Sequence, residues 1–328
     1  MLRYLAKRLA YYLVLLVVSV FLAYALASSA LNPRAYFENK QPRPAAAAVD
    51  RQLTALNIND HTPVVVRFGH WADGVLLHGD LGETIHGTSV NADFGRRLLV
   101  SMRLLVIGSV LGMLLGVAIG AWSAVRQYRI SDRVLTFTSF VLLSTPVFLL
   151  ALFLKNGAIA LNQATGHQLI NFTGYETPGL TGGLGAHLAD WGVHLLLPTL
   201  SLTLMGLAGY SRYQRGTMLD VLGSDYLRTA EAKGLTHRQA LLRHGLRTAV
   251  IPMSTLFAYN FLGIFTGATF TEKIFGWHGM GEWFIDSIQE NDTNSVVAVT
   301  LFTAVTVLLS GLFADALHAA LDPRVRAS

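Results

Sequence analysis

Cysteine is absent from this 328-residue chain and charge is scarce, with 25 Lys and Arg and 20 Asp and Glu, 14% in all. The first absence excludes thiol nucleophiles, disulfides, iron–sulfur clusters and Cys-ligated zinc. It says little of compartment, because a membrane-embedded chain need not use disulfides on either side. The second is too extreme for a water-soluble domain, in which roughly a quarter of residues are charged. No lysine follows a glycine, so the phosphate-cradling G-x-x-x-x-G-K-[ST] loop is missing and ATP is not bound by that route. Neither G-x-S-x-G nor H-E-x-x-H occurs, which argues against a serine or zinc intramembrane hydrolase. His61, His70, His78 and His86 fall in one segment but form no ligand pair at metal-binding spacing, so they read as scattered surface histidines.

What is present is apolar. Hydrophobic residues make up 52% of the chain, and the mean hydropathy is +0.44. A helix needs about 20 apolar residues to cross about 30 Å of hydrocarbon. Six runs qualify, at 9–29, 98–125, 134–160, 193–212, 248–270 and 294–318. The expected fold is therefore all-α and polytopic, one membrane domain with six spans. The start imitates a secretory signal, with Ala25-Leu26-Ala27 as its cleavage site, but the apolar stretch exceeds the usual 7–15 residues of a signal core. It reads as a retained helix. Residues 30–96, with Pro33, Pro42, Pro44 and Pro63, read as a partly helical external cap with a flexible start.

Basic residues alternate between the ends of the runs. Arg3, Lys7 and Arg8 precede the first; Arg126, Arg129 and Arg133 join the second to the third. Arg212, Arg215, Arg228, Lys233, Arg238, Arg243 and Arg247 lie between the fourth and fifth, and Arg324 and Arg326 follow the sixth. Residues 163–192 have no Lys or Arg, and 271–293 have only Lys273. The positive-inside bias then puts both termini in the cytoplasm. The formal charge of +5 is accounted for by topology, and no nucleic-acid partner is expected. The middles of all six runs lack Asp and Glu, whereas ion-coupled carriers usually hold acids there; Asp315 stands near the inner end of the last. Lys155, about 33 Å along its helix from Arg133, reaches the outer interface and reads as a snorkelling side chain.

The connection Ser224–Pro252 carries the most local information. Ser224 is a plausible N-cap with Asp225 at the positive end of the helix dipole. A short helix runs to Lys233 and stops at Gly234, and Thr236-x-x-Gln239 fits a capping box that opens a second one. Two capped helices between two spans make a rigid knob on the cytoplasmic side.

This pattern resembles the loop shared by permease subunits of ABC importers, and more narrowly the B-type permease subunit of oligopeptide and dipeptide importers. The family's loop glycine falls on Gly234. Its Glu-Ala-Ala opening falls on Arg228, Thr229 and Ala230, so the acidic position is missing, and its later loop proline falls on Arg247. Asp80-Leu81-Gly82 is similar to the turn before the family's second span, Ser144-Thr145-Pro146 to the centre of its third, TEKIFGWHGMG at 271–281 to its outer loop, and Leu321-Asp322-Pro323-Arg324-Val325-Arg326 to its tail. The opening, MLRYLAKRLAYYLVLL, is similar to its first helix. The likeness covers nearly the whole chain.

The resemblance implies a second permease subunit, two ATPase subunits that bind the ATP and Mg, an external peptide-binding protein and a peptide substrate. It implies that this chain binds no cofactor and catalyses nothing. The ATPase-coupling interface would be Asp225, Tyr226, Arg228, Thr229, Ala230, Lys233, Gly234, Leu235, Thr236, Arg238 and Arg243, within coupling helices at 222–247. Gly276-Trp277-His278-Gly279-Met280-Gly281 would face the binding protein or the pore mouth, or Trp277 would serve only as an interfacial anchor. Gly108, Gly112, Gly116 and Gly120 recur every four residues, and Gly263 and Gly267 repeat the spacing. Such stripes let helices approach closely in lipid, within the chain or toward a second permease. Similar permeases carry nickel complexes, so cargo other than peptide stays open. A secondary carrier and an intramembrane enzyme are the competing classes.

Overall fold

Proline and glycine decide where the long apolar helices of this chain break. The computed structural model describes the backbone of residues 2–321 and the side chains of 8–253, 256–257 and 268–312. In chain order the helices are α1 (Leu2–Ala30), α2 (Pro33–Glu38), α3 (Ala46–Ala55), α4 (Val64–Asp73), α5 (Val90–Val125), α6 (Ile130–Ser144) and α7 (Val147–Thr165). There follow α8 (Leu184–Leu222), α9 (Asp225–Ala232), α10 (His237–Ala240), α11 (Leu246–Phe275), α12 (Met280–Gln289) and α13 (Thr293–Leu321). Single π-helical turns sit at Gly74–His78 and Leu241–Gly245. The architecture is all-α, and among the described residues the one β feature is an isolated bridge between Glu83 and Ser89.

Among the described residues, α1 from Arg8, α5, α7, α8 and α13 to Leu312 are long and apolar enough to cross a bilayer. The fifth run lies in α11, where several residues fall outside those with described side chains. The third run is not one helix. Thr145 is extended (φ −91°, ψ 123°) because the ring of Pro146 excludes the α conformation from the residue before it, so 134–160 divides into α6 and α7. Two other helices outrun their apolar stretches. At 1.5 Å per residue, α5 (36 residues) and α8 (39 residues) reach about 54 and 58 Å, nearly twice the hydrocarbon thickness.

The chain divides into two compact units, residues 1–101 with 278–309, and residues 102–277 with 310–328. In the first, the end of α1 carries α4 through aromatic rings, with Phe21 and Phe68 edge-to-face at 5.0 Å and Tyr24, fully buried, 6.0 Å from Trp71. Asn32 caps α2, whose first residue is Pro33, where a flexible start was expected. Phe37, Val49, Leu53, Ile58 and Ile85 then form a small core. The Asp80-Leu81-Gly82 turn folds back on itself. The Asp80 carboxylate accepts from Gly82 N–H, Leu81 N–H donates to Asn91, and Trp71 donates to the Leu81 carbonyl. The buried Asn294 amide, in the first turn of α13, donates to the carbonyls of Leu56 and Glu83, each at 2.9 Å.

In the second unit α8 lies against α6, α7 and α11. Ala151, Ala158, Leu197 and Phe275 form one core there. Lys155 does not lie free along the bilayer surface. Its ammonium donates to the carbonyl of Ile274, one of the last in α11, where the negative end of the helix dipole favours a cation.

Candidate functional site

The segment between α8 and α11 is built by local signals that close both of its turns. Ser224 has the extended backbone of an N-cap, but its hydroxyl donates to the Val221 carbonyl at 2.6 Å and does not accept from α9. The expected side-chain cap is therefore missing. The other end of α9 is a full Schellman motif, in which Gly234 N–H bonds Glu231 O, Leu235 N–H bonds Ala230 O, and Gly234 takes φ +96°. Thr236 and Gln239 form the capping box reciprocally, at 3.3 and 3.1 Å. His237 reaches back to Glu231 at 2.6 Å and ties α10 to α9 across the turn.

The second short helix is not separate. From His237 the backbone stays helical through α10, the π turn and α11, with Gly245 and Leu246 both in the right-handed α region. Arg247, standing where the family's loop proline was aligned, keeps its N–H and does not interrupt the path. Pro252 lies inside α11.

Apolar side chains anchor the knob on the helices that carry it. Leu227, Ala240 and Leu241 are buried with Met218 and Val221 of α8, Ala124 of α5 and Ala249 of α11. What the knob exposes is cationic, with Arg228, Lys233, Arg238, Arg243 and Arg247 against Asp225 and Glu231. Tyr226, Thr229, Ala230, Lys233, Leu235 and His244 line an open depression on it. Of the eleven residues expected to dock, Ala230 and Leu235 are half-buried and the rest are exposed.

Sequence reasoning missed the residue that ties α5, α6 and α8 together at the same end. The buried Asp132 carboxylate accepts Arg215 twice, at 2.7 and 2.8 Å, and also Ser123 Oγ and Tyr128 N–H. The bidentate Arg215 bond, with help from Ser123 and Tyr128, holds this carboxyl well below the usual carboxylate range against the opposing pull of burial. Arg215 was counted only as one positive charge among many, and its distance of 83 residues from Asp132 hides the pair from any local pattern.

The glycine stripe of α5 is used within the chain. Side chains or backbone of α8 would meet a Cβ at Gly108 (Leu202, 3.0 Å), Gly112 (Gly206, 3.3 Å) and Gly116 (Tyr210, 2.6 Å). At Gly120 the obstacles are the Ser211 backbone and Gln214 Cβ, the latter at 2.9 Å. The pairing 108 with 202, 112 with 206 and 116 with 210 keeps one offset, so α5 and α8 run in the same direction. Gly263 and Gly267 lie outside the residues with described surroundings, as do Asp315 and the tail from Asp322. In the 276–281 loop, Trp277 is buried, edge-to-face with Tyr175 at 6.5 Å. Gly279, Met280 and Gly281 are buried too, and His278 alone of the five is exposed. Met280 N–H donates to the buried Ser101 hydroxyl at 2.7 Å.

No group of three or more His, Asp or Glu placed to hold a metal occurs among the described residues. Chemically this constellation can bear load and present charge. Residues 116–327 match the family model described as binding-protein-dependent transport system inner membrane component. The chain is 53% identical over its whole length, and that of its relative, to the oligopeptide transport system permease protein OppB of Mycobacterium bovis. It is 34% identical to the oligopeptide transport system permease protein AppB of Bacillus subtilis, covering 86% of this chain and 87% of the relative. With the dipeptide transport system permease protein DppB of Escherichia coli it shares 31% identity over 80% and 81%. The chain thus belongs to the binding-protein-dependent transport system inner membrane components, as one of their multi-pass permease subunits.

Proposed function

We propose that this permease moves oligopeptides or dipeptides inward across the bacterial cytoplasmic membrane by alternating access, with both termini and the 224–247 knob in the cytoplasm. A second permease subunit completes the pathway, two ABC ATPase subunits bind ATP and Mg, and an external binding protein delivers the peptide. The chain itself holds no cofactor and catalyses no reaction. Peptide cargo is supported by full-length similarity to a relative named as an oligopeptide permease.

The observation that carries the coupling role is the seating of the knob. Its core is shared with α8 and its second half is continuous with α11, so a displacement of the knob is passed to two spans with little local give. Its exposed guanidinium and ammonium groups suit a cleft with acidic or polar walls on an ATPase.

The test uses the assembled importer in vesicles. Gly234 has φ +96° and no atom within 4 Å of an added Cβ, so alanine there costs only backbone strain, about 1 kcal/mol. Proline cannot adopt that angle at all. Gly234→Ala should change peptide uptake per ATP by less than about threefold, and Gly234→Pro should lower it at least tenfold while ATP hydrolysis continues. Unchanged uptake per ATP in Gly234→Pro would remove the knob from the coupling route.

A further inference from the structure

Beside the knob runs an open groove between α5 and the start of the knob's second half, sharing Leu241 and Met218 with the knob's core and Arg238 with its docking face. Leu114, Ala118, Ala121 and Trp122 of α5 form one wall, and Leu242 and Arg238 belong to the other. Along α5, Leu114, Ala118 and Trp122 lie two residues out of phase with the glycine stripe, about 200° around the helix at 3.6 residues per turn, while Ala121 and Met218 of α8 also line the groove. We infer that the groove holds one anionic phospholipid of the inner leaflet, with an acyl chain along α5 and the phosphate at Arg238.

Three observations select this occupant. From Leu114 to Val125 the apolar wall is twelve residues, about 17 Å from first to last, close to the roughly 15 Å that one leaflet contributes to a 30 Å hydrocarbon core. Its polar end is interfacial in composition, since Trp122 lines it and the Arg126 guanidinium stacks 4.2 Å from the Trp122 ring centroid. The charge there is cationic. Arg238 is exposed with no acidic partner among the described residues, and the nearby Glu231 is engaged by His237. Basic pockets between membrane helices on the cytoplasmic side suit anionic headgroups. At about 520 Å³ the groove is far larger than a phosphate ion alone requires. The inference rests on the proposed orientation and on membrane location; it is independent of cargo.

The experiment is native mass spectrometry of the assembled importer extracted from vesicles of phosphatidylcholine with graded phosphatidylglycerol. Retention of one phosphatidylglycerol attributable to this permease is expected. Arg238→Gln, at an exposed residue that the docking reading also uses, should raise the half-saturating phosphatidylglycerol fraction about fivefold with the ATPase subunits still bound in the same spectrum. Ala118→Phe, which fills the groove, should abolish retention of either lipid there, and inorganic phosphate should not displace it. Equal retention by wild type and both variants would overturn the inference. So would displacement by phosphate, or a cross-link from a cysteine at position 118 to the second permease that forms at every lipid composition, since protein would then occupy the groove. Uptake is not read in this assay, so its failure is distinguishable from failure of the coupling proposal.

Discussion

At the scale of single residues, the α5 glycines and Asp132 act through what they touch. A methyl group at Gly120 overlaps the Ser211 backbone, and backbone cannot swing aside as a side-chain tip does. Gly209, on α8, has no atom within 4 Å of its added Cβ. Gly120→Ala should therefore destabilise by about 1–3 kcal/mol from overpacking. Gly209→Ala should be neutral or slightly stabilising, because alanine is the better helix former. Melting temperatures of the purified permease complex separate the two. Asp132→Asn leaves Arg215 with half its charge-assisted partner. The loss should be roughly 2–3 kcal/mol, under the 3–5 of a fully buried pair because Arg215 remains 25% exposed. The pH dependence has a definite sign. Because the folded carboxyl titrates below its unfolded value of about 4, its contribution is complete above that pH and is lost as pH falls toward the lower folded value. The wild-type melting temperature should drop through that acidic window, and the drop should be smaller in Asp132→Asn.

At the scale of elements, the proposed coupling depends on continuity. Hydropathy marks where a helix is greasy and says nothing of where it ends, so α8 and α11 run well beyond the apolar stretches that betray them. The capping box and the Gly234 turn were legible because their partners stand two to five residues apart. The missing Ser224 cap was not, since its hydroxyl had an equally local carbonyl to choose. Leu227 shows how the knob is held. It is 2% exposed in the shared core, so Leu227→Ala should cost about 2–4 kcal/mol and raise hydrogen exchange across α9 and α10. Arg228→Ala, on the exposed face, should stay within about 0.5 kcal/mol. Equal exchange in the two variants would mean that the knob is not seated through this core.

At the scale of the whole molecule, the charge pattern and the helix directions concern the same topology. Spans two and four must run in the same direction if one crossing separates them, and α5 and α8 do, although Pro146 divides the crossing between them into α6 and α7. The chain has no native cysteine, so each introduced thiol is a unique label. A cysteine at Glu176, in the stretch without Lys or Arg, should react with an impermeant maleimide from outside the cell. One at Arg228 should react only after permeabilisation. The reverse pattern would invert the proposed orientation and take the knob away from any cytoplasmic ATPase.

Composition alone determined that this chain lives in a membrane, and short-range spacing determined the caps and turn of the knob, because both depend on residues within a few positions of one another. Tertiary structure decided what each of those features is for. It set the glycine stripe against α8, buried Trp277 and paired Asp132 with Arg215. In each case the deciding partner lies many residues away, and which surfaces meet is a property of the packed helices that no local pattern encodes.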